Sequence, residues 1–206
     1  PNAAWRLLDG LESLRNPQTG EITVQGYYDD IVSLSKDEQE AVANMDFDAD
    51  SVTETYGLKR PLTTTHPRKE LVNGTTLTIN GLSGYEGQGV KTIVPRQASA
   101  KLDCRLAPNQ DPQKIMKLIE QQLTNNGFND FKLHLNAAED AWRTPMSDKF
   151  VQLALKTARI VYGATTKYVP NTAGGGPVRP FGETLKLPIV MVGIHYAKSG
   201  PHAPNE

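Results

Sequence analysis

Apolar residues at Ala4, Leu7, Leu8, Leu11 and Leu14 recur at helical spacing, so the chain opens on an amphipathic helix over about Ala3 to Leu14. Asn2 stands in its N-cap position and Asn16-Pro17 stops it. A turn at Gln18-Thr19-Gly20 leads to a short strand over Glu21 to Val24. Ser35 and Glu38 have the spacing of a capping box for a polar helix through about Asn44. Asp50 is placed to cap a second short helix that ends near Gly57. Residues 58–75, rich in Pro, Thr, Lys and Arg, read as a loop.

Leu77 and Ile79 then alternate with Thr76, Thr78 and Asn80, the pattern of a strand with one buried face. Gly81 to Gly89 holds four glycines and reads as a loop. Ala98, Ala100, Leu102, Cys104 and Leu106 alternate with polar residues in a second strand. Asp111-Pro112 opens a helix with Ile115, Met116, Ile119 and Leu123 on one face, closed by Gly127. Phe131, Leu133 and Leu135 form the inward set of a third strand. The order is α-β-β-α-β with an insertion at about 20–75, which is a ferredoxin-like β-α-β-β-α-β unit lacking its first strand. That strand would lie just upstream of Pro1.

Thr144-Pro145 marks a boundary, giving a first domain over 1–144 and a second over 145–206. Phe150, Val151, Ala154, Ala158 and Val161 predict a helix, and the apolar run Pro188 to Ile194 predicts a strand buried on both faces, as in a parallel α/β sheet. The fold class is therefore α+β: a ferredoxin-like domain followed by part of an α/β domain. Some 60 residues are too few to bury a good core alone. A chain that begins on a helix cap and stops after a Gly/Pro-rich loop is expected to be a piece of a longer protein.

Charge narrows the function classes. The 206 residues carry 22 Lys+Arg against 23 Asp+Glu, a formal net charge of −1, which gives no broad field for nucleic acid or anionic lipid. The first two strands after the insertion contain no aromatic residue, so an RNA-recognition surface is excluded as well. No apolar run is long enough to span a membrane. One cysteine, Cys104, rules out an internal disulfide framework and points to a reducing, cytoplasmic setting.

Few residues carry chemistry on spacing alone. His202 follows a buried strand and a glycine turn, where it reads as a metal ligand or as a plain loop histidine. Arg105, on the polar face of its strand, suits either a carboxylate clamp or a cross-strand ion pair. Gly174-Gly175-Gly176-Pro177 lacks a P-loop continuation and is either a plain loop or a close backbone approach to a ligand. Asp46, Asp48 and Asp50 lack the Gly and Glu of a calcium loop and read as helix-capping carboxylates. Cys104 alternates with core residues, as a buried thiol does.

Six stretches in order resemble the M20 family of metallopeptidases, its carnosinase-like dipeptidase branch in particular. They are Asn2–Trp5, Gly26–Asp30, Leu77–Leu82, Gly89–Pro95, Lys101–Pro108 and Ala173–Pro177, with His202-Ala203-Pro204-Asn205-Glu206 following. The resemblance implies a ferredoxin-like dimerisation (lid) domain inserted into a peptidase domain. It implies a homodimer, a dipeptide or related small amide as substrate, and two metal ions, usually zinc, bridged by a water that attacks the amide carbonyl. By position it makes His202 a metal ligand, Arg105 the holder of the substrate's terminal carboxylate, and Thr92 a residue reaching the partner subunit's site. Gly175 and Gly176 match a backbone segment lining the substrate pocket; relatives often carry Ser where this chain has Gly176. The family's His-x-Asp and Glu-Glu pairs occur nowhere in the chain, and one histidine cannot hold a catalytic zinc. The expectation is an inactive piece of a zinc dipeptidase, against the alternative of a stand-alone dimerisation or binding module.

Overall fold

The computed structural model describes residues 2–59, 64, 66–84, 92–174 and 176–192. Helix α1 spans Ala3–Glu12, and Asn2 caps it by accepting from the N–H groups of Ala4 and Trp5. Its inner side leads into Leu14, which joins Ile22, Val24 and Tyr27 in the main core. Helix α5, Pro112–Asn125, lays Ile115, Ile119 and Leu123 on the same core, and Asp111 caps it. Strands β1 (Thr78–Ser83) and β2 (Ser99–Asp103) form a two-stranded antiparallel sheet. Thr78 pairs with Asp103 and Ile79 with Leu102; a bulge between Ile79 and Gly81 shifts the register to Gly81 with Lys101. Leu77, Leu102, Cys104 and Leu106 pack on the two helices, so one face of the sheet is roofed and the other is open. Burying each such side chain contributes about 1.5–3 kcal/mol, which makes this layer the main source of stability.

The insertion builds a second, smaller core. Helices α2 (Lys36–Ala43), α3 (Ala49–Thr55) and α4 (Pro67–Asn73) lie in it, and Leu34, Val42 and Val72 pack together with Met45 alongside. The Ser35–Glu38 capping box forms in both directions. The insertion is pinned to the main core at Tyr27. Its hydroxyl donates to the Thr76 carbonyl at 3.0 Å, and its own carbonyl accepts from Gln110 Nε2 at 2.7 Å. Gln110 sits in a turn where Asn109 takes a positive φ of 77° and donates to the Asp30 carbonyl. Helix α6, Lys149–Tyr162, and the short α7, Arg179–Glu183, complete the described elements.

Several expectations need correction. Glu21 to Val24 is no strand; it makes one bridge, Arg15 with Ile22, because the Ile22 N–H donates to the Tyr28 hydroxyl and not to a ladder. Residues 58–75 are not all loop: Pro67 starts α4, whose Val72 packs with Val42 of α2. Asp48, not Asp50, caps α3. Helix α1 stops at Glu12, two residues short of Leu14. Strand β1 runs on through Gly81 to Ser83. Residues 131–135 keep the expected alternation only for Phe131 and Leu133, which lie on the core, while Leu135 is exposed; the stretch forms no strand, since among the described residues no strand pairs with it. Residues 188–192 likewise form no strand, and Met191 and Val192 are exposed; the last two residues of that run lie outside the described ones. Among the described residues no strand flanks them to complete a parallel sheet. The short α7 had no counterpart in the sequence reading.

Candidate functional site

The alternation of β2 decides what the sheet offers to solvent. With Leu102, Cys104 and Leu106 turned to the core, Lys101, Asp103 and Arg105 fall on the opposite face. Arg105 lies just past β2, but its backbone continues the pairing. Its carbonyl accepts from the Thr76 N–H and the Thr75 hydroxyl, both at 2.9 Å, and its N–H donates to Thr76 Oγ1 at 3.2 Å. The backbone is thus fixed while the side chain remains more than half exposed. Its Nε donates to Asp103 Oδ1 at 2.8 Å, an ion pair along one strand and not across two. Asp103 is the partner the sequence reading missed; the signal was present as opposite charges two residues apart on one strand face. The pair occupies Nε, and among the described residues neither Nη group has a partner. Two parallel N–H donors at the end of the fork are what a carboxylate accepts bidentately.

A broad open cleft of about 2540 Å³ runs past α1, α4, α5, β2 and the stretch 130–142, and its lining includes Arg105, Asp103, Asn171, Thr172 and Gly176. The structure therefore brings Arg105 and Gly176 to one opening. Thr92 is exposed, at the start of the described stretch 92–174, and does not line the cleft. Gly175 and His202 lie outside the described residues. His134 lines the cleft from the far side.

Cys104 is half-buried beneath the sheet, where burial pushes its thiol up and the neighbouring Tyr27 hydroxyl offsets this only in part, which disfavours the thiolate. A metal centre needs three or more convergent donors, and among the described residues no group of three His, Cys, Asp or Glu side chains comes together. The described residues do not fit such a centre, and no chemistry is assigned to a metal on them.

This arrangement has known counterparts. The model of the M20 peptidase dimerisation domain matches residues 1–130. The chain belongs to the M20 peptidase dimerisation-domain family. Among curated M20 relatives, the Cys-Gly metallodipeptidase of Schizosaccharomyces pombe is 25% identical over 197 residues, covering 91% of this chain and 41% of the relative. The Beta-Ala-His dipeptidase of Mus musculus is 22% identical over 198 residues, covering 91% and 40%. Among solved structures, an M20 family metallo-carboxypeptidase from Sulfolobus solfataricus superposes with a TM-score of 0.76 at 31% identity, over 90% of this chain and 49% of that one. The chain spans about two-fifths of the length of the curated relatives it matches. Mixed helices beside a small antiparallel sheet are the architecture this M20 likeness carries.

Proposed function

We propose that this chain is the dimerisation-domain part of a cytoplasmic, zinc-dependent M20 dipeptidase that hydrolyses a peptide bond as a homodimer, and that the 206 residues alone are inactive. The observation that carries the reading is Arg105: its backbone is pinned by Thr75 and Thr76, its Nε is paired with Asp103, and its two Nη groups are free among the described residues on a cleft shared with Gly176. In this reading Arg105 binds the dipeptide's C-terminal carboxylate, Gly175 and Gly176 line the substrate pocket, Thr92 reaches the partner's site, and His202 is a metal ligand. The two zinc ions would supply an activated water; their other ligands and the general base are not in this chain. The Cys-Gly and Beta-Ala-His dipeptidase activities for which these relatives are named support the substrate class.

The same reading covers the sheet and the dimer. A ferredoxin-like sheet would place one further strand between β2 and residues 131–135. The cleft there supports it, with Leu102 and Cys104 on one wall and Phe131 and Leu133 on the other. Two copies would pair through an edge strand or a helix. Trp5 and Leu8 stand exposed one turn apart on α1, and Ile79 and Leu82 are exposed on β1.

Two measurements test this. Sedimentation of the chain should show a dimer; monomer alone at high micromolar concentration would count against pairing. In the enzyme that carries this chain, Arg105→Ala should cost about 2–4 kcal/mol of transition-state binding, because charge-assisted bonds in a partly dry site are strong. That is about 30- to 1000-fold in kcat/KM. Arg105→Lys should recover little, and the loss should shrink on C-terminally amidated substrates. Wild-type rates for Arg105→Ala would leave Arg105 as the structural partner of Asp103 only.

A further inference from the structure

Residues 140–144 join the dimerisation part to α6, and connectors of this kind are ordinarily exposed and make few contacts. Here the opposite holds. Among the described residues, no backbone-to-backbone hydrogen bond involves any residue from 132 to 144, so side chains alone hold the stretch. Asp140 pairs with Arg179 of α7. The Trp142 indole lies against Gly182 of α7, where any Cβ would collide with the ring. Thr144, buried, accepts the Ile189 N–H at 2.8 Å on its hydroxyl.

Arg143 points the other way, into the insertion. Its side chain is only 7% exposed, as is that of Glu38. Arg143 Nη1 donates to Asn73 Oδ1 at 2.8 Å, and Nε stands 3.8 Å from Glu38 Oε1. Each partner is held in turn: Asn73 Nδ2 donates to the Val32 carbonyl, and Glu38 Oε2 accepts the Ser35 N–H, both at 2.9 Å. One guanidinium therefore gathers α2, α4 and the loop before α2. Nearby, the exposed pair Asp46–Lys167 ties the insertion to the segment after α6.

A buried ion pair of this looseness adds little net stability over an apolar filling, because desolvating both charges offsets their attraction. What it supplies is direction: Nη1 donates to a single acceptor, Asn73 Oδ1, while Nε faces the Glu38 carboxylate, and the connector has no ladder to fix it otherwise. We propose that the helical insertion, residues 20–75, is a clasp that sets the path of the connector 140–144, and that Arg143 is its latch. Arg143 is a positioning residue: it fixes how the chain leaves the dimerisation part and so how that part is oriented toward α6.

Hydrogen exchange on the whole 206-residue chain tests this. Arg143→Lys keeps a buried charge near Glu38 but loses the planar fork shared with Asn73. Glu38→Gln/Arg143→Met removes both charges and keeps the capping-box acceptor for the Ser35 N–H, which protects the fold from an unpaired ion and α2 from losing its cap. In both variants the Ile189 amide, which donates to Thr144 of the connector, should exchange at least about tenfold faster, while those of α5 and the melting temperature stay near wild type. Unchanged exchange of the Ile189 amide in the folded double variant would overturn the proposal, because the contacts to α7 would then suffice to place the connector. A uniform rise in exchange that includes α5 would also overturn it, since Arg143 would then be an ordinary stability residue.

Discussion

Tyr27 is 1% exposed at the base of the insertion. Burial, and then the neighbouring Cys104, hold its phenol well above the ordinary value of 10.0; burial likewise raises the Cys104 thiol above 9.0. Both groups are neutral in the folded chain. The unfolded chain gives up these protons nearer the ordinary values, so above them it binds fewer protons than the folded one, and stability falls as pH rises. The urea midpoint should hold steady up to about pH 9 and decline progressively beyond it. Tyr27→Phe should flatten the decline above about pH 10, at a cost of about 1 kcal/mol at neutral pH for the lost bond to Thr76. An alkaline limb identical in the two proteins would show that Tyr27 is not the linked group. At this scale the sequence was half informative. The alternation around Cys104 and Arg105 placed one inward and the other outward, but the Arg105–Asp103 pair could not be told from a cross-strand one until the strand end was seen.

Elements carry the clearest sequence signals where caps and periodicity agree. Asn2 with α1, the Ser35–Glu38 box with α2, and Asp111-Pro112 with α5 all form as read. What periodicity cannot show is how two elements meet. Gly10 is buried inside α1, and a Cβ there would lie 2.5 Å from Phe131 Cε2 and 2.7 Å from Cζ. The helix propensity gained by alanine, up to about 1 kcal/mol, is smaller than the cost of moving a packed ring. Gly10→Ala should therefore be net destabilising, by about 1–3 kcal/mol, the usual penalty of overpacking. A denaturation midpoint raised by this substitution would mean that α1 and the 128–131 turn are not in this close register. Strands fared worse than helices for a physical reason: a helix satisfies its own backbone, whereas 21–24, 131–135 and 188–192 each need a neighbour to become a strand.

For the whole molecule, local sequence determined helices α1, α2, α3, α5 and α6, the inward and outward sets of β2, and the family, whose motifs are short and ordered along the chain; α4, α7 and the exposure of Ile79 on β1 it did not. It also determined that residues 20–75 interrupt the α-β-β-α-β order. Only the tertiary structure decided that this insertion has its own core and reaches Arg143, which lies about 70 residues from Asn73 and over 100 from Glu38. No periodicity encodes a bond across such a separation. The same limit applies to the site. Arg105 and Gly176 line the same cleft although about 70 residues separate them, and the sequence marked each only as a member of its own motif. Side-chain burial has a short-range signature in the chain, read as a period of two or 3.6 residues. Convergence of polar groups has none, since it depends on how layers stack, and that is settled only when the cores of the main layer and the insertion pack together.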